Sequence, residues 1–337
     1  MIRVAVDAMG GDFAPQEPVL GAMEAVKKCD DIEITLFGRT EEINKYLKPH
    51  DRIKVVDARD VIPMGEHDPV RAIRTMKDSS MVKAMTAVAQ GEADAFCSAG
   101  PTQALVIGAH LIIRRMEGFK RPALAPFIPS FAGGNTIILD SGANLEVKPE
   151  QLLQQAYFAH VYAKEVMGIK DPKIGLLNIG TEEGKGRVFE NECYKLLSES
   201  DLNFVGNVEP KEILNPPCNI LISDGFTMNI CVKTLEGTAK TMGAMLKRSL
   251  MSSFMSKIGA LFAKKSLDKF KKDMNPDDAS AAMVFGTKYP CVKAHGSSNR
   301  IGFSYGILLS ASVAREGVIE KVSKALKDSM PQGETNE

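Results

Sequence analysis

Short apolar runs, most of them ending in a polar or glycine-rich turn, alternate along this chain with stretches of helical spacing. The runs at 2–7, 32–37, 53–57, 94–98, 136–140, 173–178 and 219–224 read as buried strands. Helical spacing fills 17–28, 69–90, 102–115, 150–168 and 187–198 between them. Strand-then-helix repetition builds a mostly parallel sheet covered by helices on both faces. In such sheets ligands bind beyond the carboxyl ends of the strands. Five turns are therefore placed on one ligand-binding edge: Asp7 into Gly10, Gly11 and Asp12; Ser98 into Gly100; Asp140 into Asn144; Asn178 into Gly180 and Thr181; and Asp224 into Thr227. A single Gly/Asp turn needs no ligand to explain it. Five together are better explained by a site.

From about Thr227 to Asp273 the character changes. Met242, Leu246, Leu250, Phe254, Ile258, Leu261 and Phe262 form an apolar stripe at three-to-four-residue spacing, and eight Lys/Arg in 247–272 face one acid, Asp268. This reads as a basic helical hairpin. Its lysines either form a solvated face beside an interface or touch anionic lipid.

The 337 residues suit one large α/β unit or two small ones, and the formal net charge is zero, so nothing global calls for nucleic acid. The first residues lack the pattern of a secretory signal, and no apolar run approaches the roughly 20 residues of a membrane span. Six cysteines lie far apart without CxxC spacing, as expected for reduced, buried thiols in a cytoplasmic protein with neither disulfides nor a bound metal.

Several chemistries lack their signatures. Gly10-Gly11 is no dinucleotide fingerprint, no GxxxxGK[ST] occurs, and there is no GxSxG elbow. The richest segment is Asn178-Ile179-Gly180-Thr181-Glu182-Glu183-Gly184-Lys185-Gly186, where backbone N–H groups and one ammonium can converge on a small anion. Glu182 and Glu183 serve equally well as caps of the following helix. His295, in Lys293-Ala294-His295-Gly296 after an apolar strand, is a candidate general acid or oxyanion donor, although a lone histidine is more often structural.

DAMGGDFAP (7–15), RPALAP (121–126), DSGAN (140–144), LLNIGTEEGKG (176–186), FVGNVE (204–209), SDGFT-x-N (223–229) and VKAHGSS (292–298) occur in one order over nearly the whole chain. Together they resemble the acyl-carrier-protein:phosphate acyltransferase family. The resemblance implies a three-layer α/β/α fold like that of isocitrate and isopropylmalate dehydrogenases. It implies a single domain over 1–337, with a helical hairpin inserted at about 235–275 that forms a homodimer interface and a membrane-facing surface. It also implies the reaction, in which inorganic phosphate attacks the thioester of an acyl carrier protein without metal or cofactor. The acyl phosphate then feeds phosphatidic acid synthesis through a glycerol-3-phosphate acyltransferase, at an anionic membrane. On this reading Lys185, His295, Asn178 and Asn229 are catalytic. Asp7, Gly10, Gly11, Asp12, Ser98, Thr102, Asp140, Asn144, Gly180, Thr181, Glu182, Gly186, Asp224, Thr227 and Lys293 bind phosphate or substrate.

Four positions depart from the family pattern: Pro101 with Gln103 in the 98–105 loop, Met228, Ser280-Ala281, and Pro210-Lys211. Two further readings follow from them. One is a catalytically weakened homologue acting as an acyl-carrier or membrane scaffold. The other is an enzyme for short-chain acyl-coenzyme A, its acyl channel narrowed by Gln103 and Met228.

Overall fold

The computed structural model describes residues 1–117, 119–131, 133–274 and 281–329. Eleven strands form one sheet: β1 (Ile2–Asp7), β2 (Ile32–Gly38), β3 (Ile53–Asp57), β4 (Ala95–Ser98), β5 (Ala123–Pro129), β6 (Asn135–Leu139), β7 (Lys173–Leu177), β8 (Asn203–Val208), β9 (Ile220–Ile222), β10 (Ala281–Phe285) and β11 (Cys291–Ala294). Their order is β3-β2-β1-β4-β11-β10-β5-β6-β9-β7-β8. The first five in this order are mutually parallel, and so are the last four. β10 and β5 join the halves through antiparallel ladders.

Twelve α-helices are described: α1 (Gln16–Lys28), α2 (Thr40–Ile43), α3 (Pro69–Thr75), α4 (Ser80–Ala89), α5 (Thr102–Gly108), α6 (Pro149–Glu165), α7 (Val188–Ser198), α8 (Gly225–Leu250), α9 (Phe254–Phe262), α10 (Lys264–Met274), α11 (Arg300–Arg315) and α12 (Val318–Ser329). Strand residues alternate between faces. Val4, Ile34, Ile137 and Ile220 pack into the core beneath α1, α6, α7, α11 and α12. On the other face, Ala5 and Phe96 lie beneath α4 and α5, and Ile138 and Leu221 meet the start of α8. The result is three layers, a mostly parallel sheet with helices on both sides.

The expected helix at 69–90 is two, α3 and α4. Ser79 Oγ donates to the Met76 carbonyl at 2.8 Å, and Asp60 and Ser79 form an isolated β-bridge. Such short polar side chains compete with the helical ladder for backbone partners. The expected helix at 102–115 is α5 followed by a π-turn (Ala109–Ile113), which stops where Arg114 adopts φ +71°.

α8 begins at Gly225, so the expected boundary at 235 falls inside one continuous helix about 39 Å long at 1.5 Å per residue. Met228 and Val232 of its first turns are buried, whereas Met242 (64% exposed), Phe254 (78%), Leu261 (71%) and Phe262 (86%) on the arm of α8 and α9 are not. Ser280 and the polar tail from Gln332 lie outside the described residues.

Candidate functional site

The two parallel halves run in opposite senses. Ala294, the last residue of β11, pairs with Ala281 at the head of β10. Beyond the end of β6, Ser141 N–H donates to Leu124, which pairs with Val284 near the tail of β10. The five turns expected on one edge therefore lie on two carboxyl edges, one at the head of β10 and the other near its tail. The sequence showed strands and their directions of travel, but not that two antiparallel strands reverse the second half.

The first edge joins the ends of β1, β4 and β11. Asp7 is buried; its Oδ2 accepts from Ser98 Oγ at 2.7 Å and its Oδ1 from the Met9 N–H at 3.1 Å. Burial raises its pKa against the pull of hydrogen bonds from Ser80, Ser98, Met9 and Gly10. A Cβ at Gly10 would lie 2.6 Å from Asp7 Oδ2 and from Gly100 N, so only glycine lets the two turns close on each other. Asp12 N–H donates to the Gly296 carbonyl at 2.8 Å, fastening the β1 turn to the loop after β11.

Lys293 is buried among these turns. Its Nζ donates to the carbonyls of Ala99 (3.3 Å) and Ala294. Burial lowers its pKa to about 8, opposed by Cys97, Asp12 and Asp7. Exposed at the rim, His295 has Nδ1 2.9 Å from Ser297 Oγ and accepting from Ser297 N–H at 3.3 Å. The neutral ring's proton then sits on Nε2, free to donate. Loss of solvation, with Lys293 nearby, lowers its pKa and favours that neutral form. Thr102 opens α5 at the same edge.

The second edge joins the ends of β6, β9 and β7. Asp140 is fully buried. Its Oδ1 accepts from the N–H groups of Leu124, Gly142 and Ala143, and its Oδ2 from the Asn144 N–H and Nδ2. The Asn144 carbonyl accepts from Gly225 N–H at 3.0 Å, and a Cβ on Gly225 would sit 2.0 Å from that oxygen. This close approach seats the N-terminus of α8, capped by Asp224 through the Thr227 N–H, against the β6 loop. Asn229 lies over Gly142, whose φ of +109° a side chain would strain.

Asn178 is spent within its own loop. Its Nδ2 donates to the Lys185 carbonyl (3.0 Å) and to Asn207 Oδ1 (3.1 Å), and its Oδ1 accepts from Ile179 N–H. Gly180 is buried beneath the Lys185 stem, while Thr181, Glu182, Lys185 and Gly186 are exposed. Glu182 and Glu183 do not cap α7. That role falls to Arg187 and Glu190, whose carboxylate accepts the Arg187 N–H at 2.7 Å. Arg187 also pairs with Asp224, tying the glycine loop to α8.

α8 connects the two edges. Starting at Asp224, it brings Lys233 and Glu236 within electrostatic range of His295. Ala143, from the second edge, packs against the buried cluster containing Ala104 and Leu105, behind the first. The candidates on the two edges, linked by α8 and by Ala143, are of two kinds. Asp7, Asp140, Asn144, Asn178 and Asp224 are occupied in bracing turns; Lys185, Lys293, His295, Thr102 and the glycine-loop N–H groups are the groups suited to an anion. Arg187, Ser80, Asn207 and Lys233 were missed. A cap pair at Arg187-x-x-Glu190 was readable in the sequence; the others carry no local signal.

Met228 does not line an open surface. Fully buried, it packs in the cluster of Ile138, Leu177, Leu221 and Val232. Its side chain points into the core between helix and sheet, so any narrowing of an acyl channel by Met228 acts inside that core. Gln103, by contrast, is exposed.

The fold is that of phosphotransacylases. The chain superposes on the EutD phosphotransacetylase of Staphylococcus aureus (TM-score 0.55, 15% identity, 94% of each chain). It also superposes on a branched-chain phosphotransacylase of Enterococcus faecalis (TM-score 0.55, 15% identity, 93% of this chain and all of the other). The fatty acid synthesis protein family model matches residues 2–321, and the chain belongs to that family. It is 46% identical to a phosphate acyltransferase of Acholeplasma laidlawii over 97% of this chain and 99% of the relative. Against a phosphate acyltransferase of Bacillus cereus the identity is 43%, over 97% and 98%.

Proposed function

We propose that the chain is a phosphate acyltransferase that converts acyl-[acyl carrier protein] and inorganic phosphate to acyl phosphate and free carrier, for phosphatidic acid synthesis. The observation that carries this reading is the 43–46% identity, over nearly the full length, with proteins named for that activity. The geometry suits it. A phosphate oxygen attacks the thioester carbonyl carbon, the C–S bond breaks, and the proton of hydrogen phosphate ends on the departing sulfur. Such a reaction needs two reactants held in line and charge neutralised on the carbonyl oxygen. The Lys293 ammonium and glycine-loop N–H groups hold phosphate, Lys185 adds a mobile charge, and His295 Nε2–H faces the developing oxyanion. Asn229 and Thr227 guide the carrier's pantetheine arm over the start of α8.

Incubating the protein with a long-chain acyl carrier and phosphate, then trapping acyl phosphate with hydroxylamine, tests the proposal. Phosphate-dependent hydroxamate is expected. Thiol release without phosphate dependence would sink it, binding without turnover would favour the scaffold reading, and preference for short acyl-coenzyme A would favour the third. Lys185→Ala is expected to lower turnover at least tenfold, about 1.4 kcal/mol, with an unchanged melting temperature because the side chain is exposed. Steady-state rates and a thermal melt check both halves.

The exposed arm of α8 and α9 is the proposed homodimer surface. Burying a side chain such as Phe254 or Leu261 contributes roughly 1.5–3 kcal/mol, so a second subunit is a strong cover for the stripe. Phe254→Asp with Leu261→Asp is expected to give monomers in analytical ultracentrifugation, where an unchanged dimer would refute the surface. Among the described residues no helix is long and apolar enough to cross a membrane. We assign the protein to the cytoplasm, in peripheral contact with anionic lipid through the lysines of α10 and close to a glycerol-3-phosphate acyltransferase. Replacing Lys264, Lys265, Lys271 and Lys272 by glutamine is expected to abolish salt-sensitive flotation with anionic vesicles; flotation that persists would exclude these lysines.

A further inference from the structure

At the turn between β10 and β11, at the opposite end of β11 from His295, a cavity of about 810 Å³ opens against α12. We propose that this cavity, walled by Arg114, Arg115, Lys288, Tyr289, Lys324 and Lys327, binds a small molecule carrying a di- or polyphosphate.

Charge argues first. The whole chain is neutral, yet the wall holds five cations against two acids, Glu117 and Glu320. Glu117 is already engaged by Lys327 at 2.9 Å. Among the described residues, Arg114 and Lys324 have no carboxylate within ion-pair distance. The positive field is felt beyond the cavity, since Arg115 and Arg121 help burial to lower the pKa of His110.

Geometry narrows the ligand. The cations come from three separate elements, the segment after the π-turn, the β10–β11 turn and α12, so they border an open groove from several sides instead of lining one helix. The volume lies within the 300–1,000 Å³ range of small-molecule sites and far exceeds one phosphate ion. Tyr289, half-buried under Lys288 Nζ at 5.7 Å from its ring, adds an apolar, aromatic wall.

Backbone conformation supplies a third, independent sign. Arg114 is the one non-glycine residue with positive φ among those described, at φ +71°, ψ 163°. Strain of this kind collects at ligand clamps. Here it is held by Lys288 N–H donating to the Arg114 carbonyl at 2.9 Å, and Met116 N–H donating to Gly286 at 3.0 Å. Those bonds bring Arg114 and Lys288 to the same wall. The exposed Arg114 guanidinium, on a backbone held in this way, offers paired donors to a phosphate.

Calorimetric titration of the full-length protein with pyrophosphate and with adenosine diphosphate tests the proposal, at constant ionic strength and with inorganic phosphate as the reference anion. Saturable binding of both is expected, tighter than that of inorganic phosphate. Arg114→Gly keeps the backbone free of strain while removing the cation; combined with Lys324→Gln it is expected to weaken binding at least tenfold. Lys293→Met, in the candidate catalytic region, is expected to leave that binding unchanged. Absent saturation would overturn the site, as would binding lost in Lys293→Met but kept in the double variant.

Discussion

Lys293→Met is expected to lower kcat/KM for phosphate at least a hundredfold at neutral pH, about 2.7 kcal/mol. Among the described residues the ammonium is the one buried cation where β1, β4 and β11 end, and methionine preserves its bulk and removes its charge. The pH profile separates this from a packing effect. Burial lowers the Lys293 pKa from its ordinary 10.5 to about 8, so the free enzyme loses the charge as pH rises through about 8. Because kcat/KM reports groups of the free enzyme, it should fall on that alkaline limb, and the limb should vanish in the variant. Between about pH 8 and 10.5 the unfolded chain holds more protons at this lysine than the native one. Its contribution to stability therefore increases with pH across that window, the burial penalty being greatest below it. A variant with the parent's rate, or with the same alkaline limb, would remove Lys293 from the site.

Met228→Gly is expected to cost about 3–6 kcal/mol of folding stability, combining the cavity left by a buried methionine with a glycine inside a helix. Met228 is fully buried against Ile138, Leu177 and Leu221, and it lies one turn from the Asp224 cap that seats α8. Glycine at this position is thus not a neutral test of substrate range in this chain. Urea unfolding measures the loss. A midpoint within error of the parent would show that neighbouring side chains close the space, and would reopen a role for Met228 in the acyl channel.

Much of the architecture was legible locally. Runs such as IRVAVD and IEITLF are mostly buried, and their apolar positions, rich in Val, Ile, Leu and Phe, mark parallel strands covered by helices. β5 was not legible, because Pro122, Pro126 and Pro129 argue against a strand. It tolerates Pro126 where it changes partner: up to that residue it pairs with β10, and from Phe127 onward with β6. β8 and β10 were missed as well; β10 is a plain apolar segment, AAMVF, whose identity as a strand comes from its neighbours on both sides.

At the site, residue chemistry was readable and partnership was not. Lys185, Lys293 and His295 are candidates because ammonium and imidazole beside glycines suit an anion, although a lone histidine or an exposed lysine is also met without a ligand. That Asp140 would turn both oxygens onto five N–H donors depends on Leu124, sixteen residues away, and on the β6 loop folding back. The sequence by itself determined most of the strands, which turns are polar, and where an amphipathic arm leaves the sheet, because these follow from local periodicity and side-chain chemistry. Tertiary structure alone decided that the halves run oppositely, that Met228 faces the core, and that Lys293 loses its water. Each of these depends on which distant strand or helix becomes a neighbour, and contacts so far apart in the chain leave no local periodicity to read.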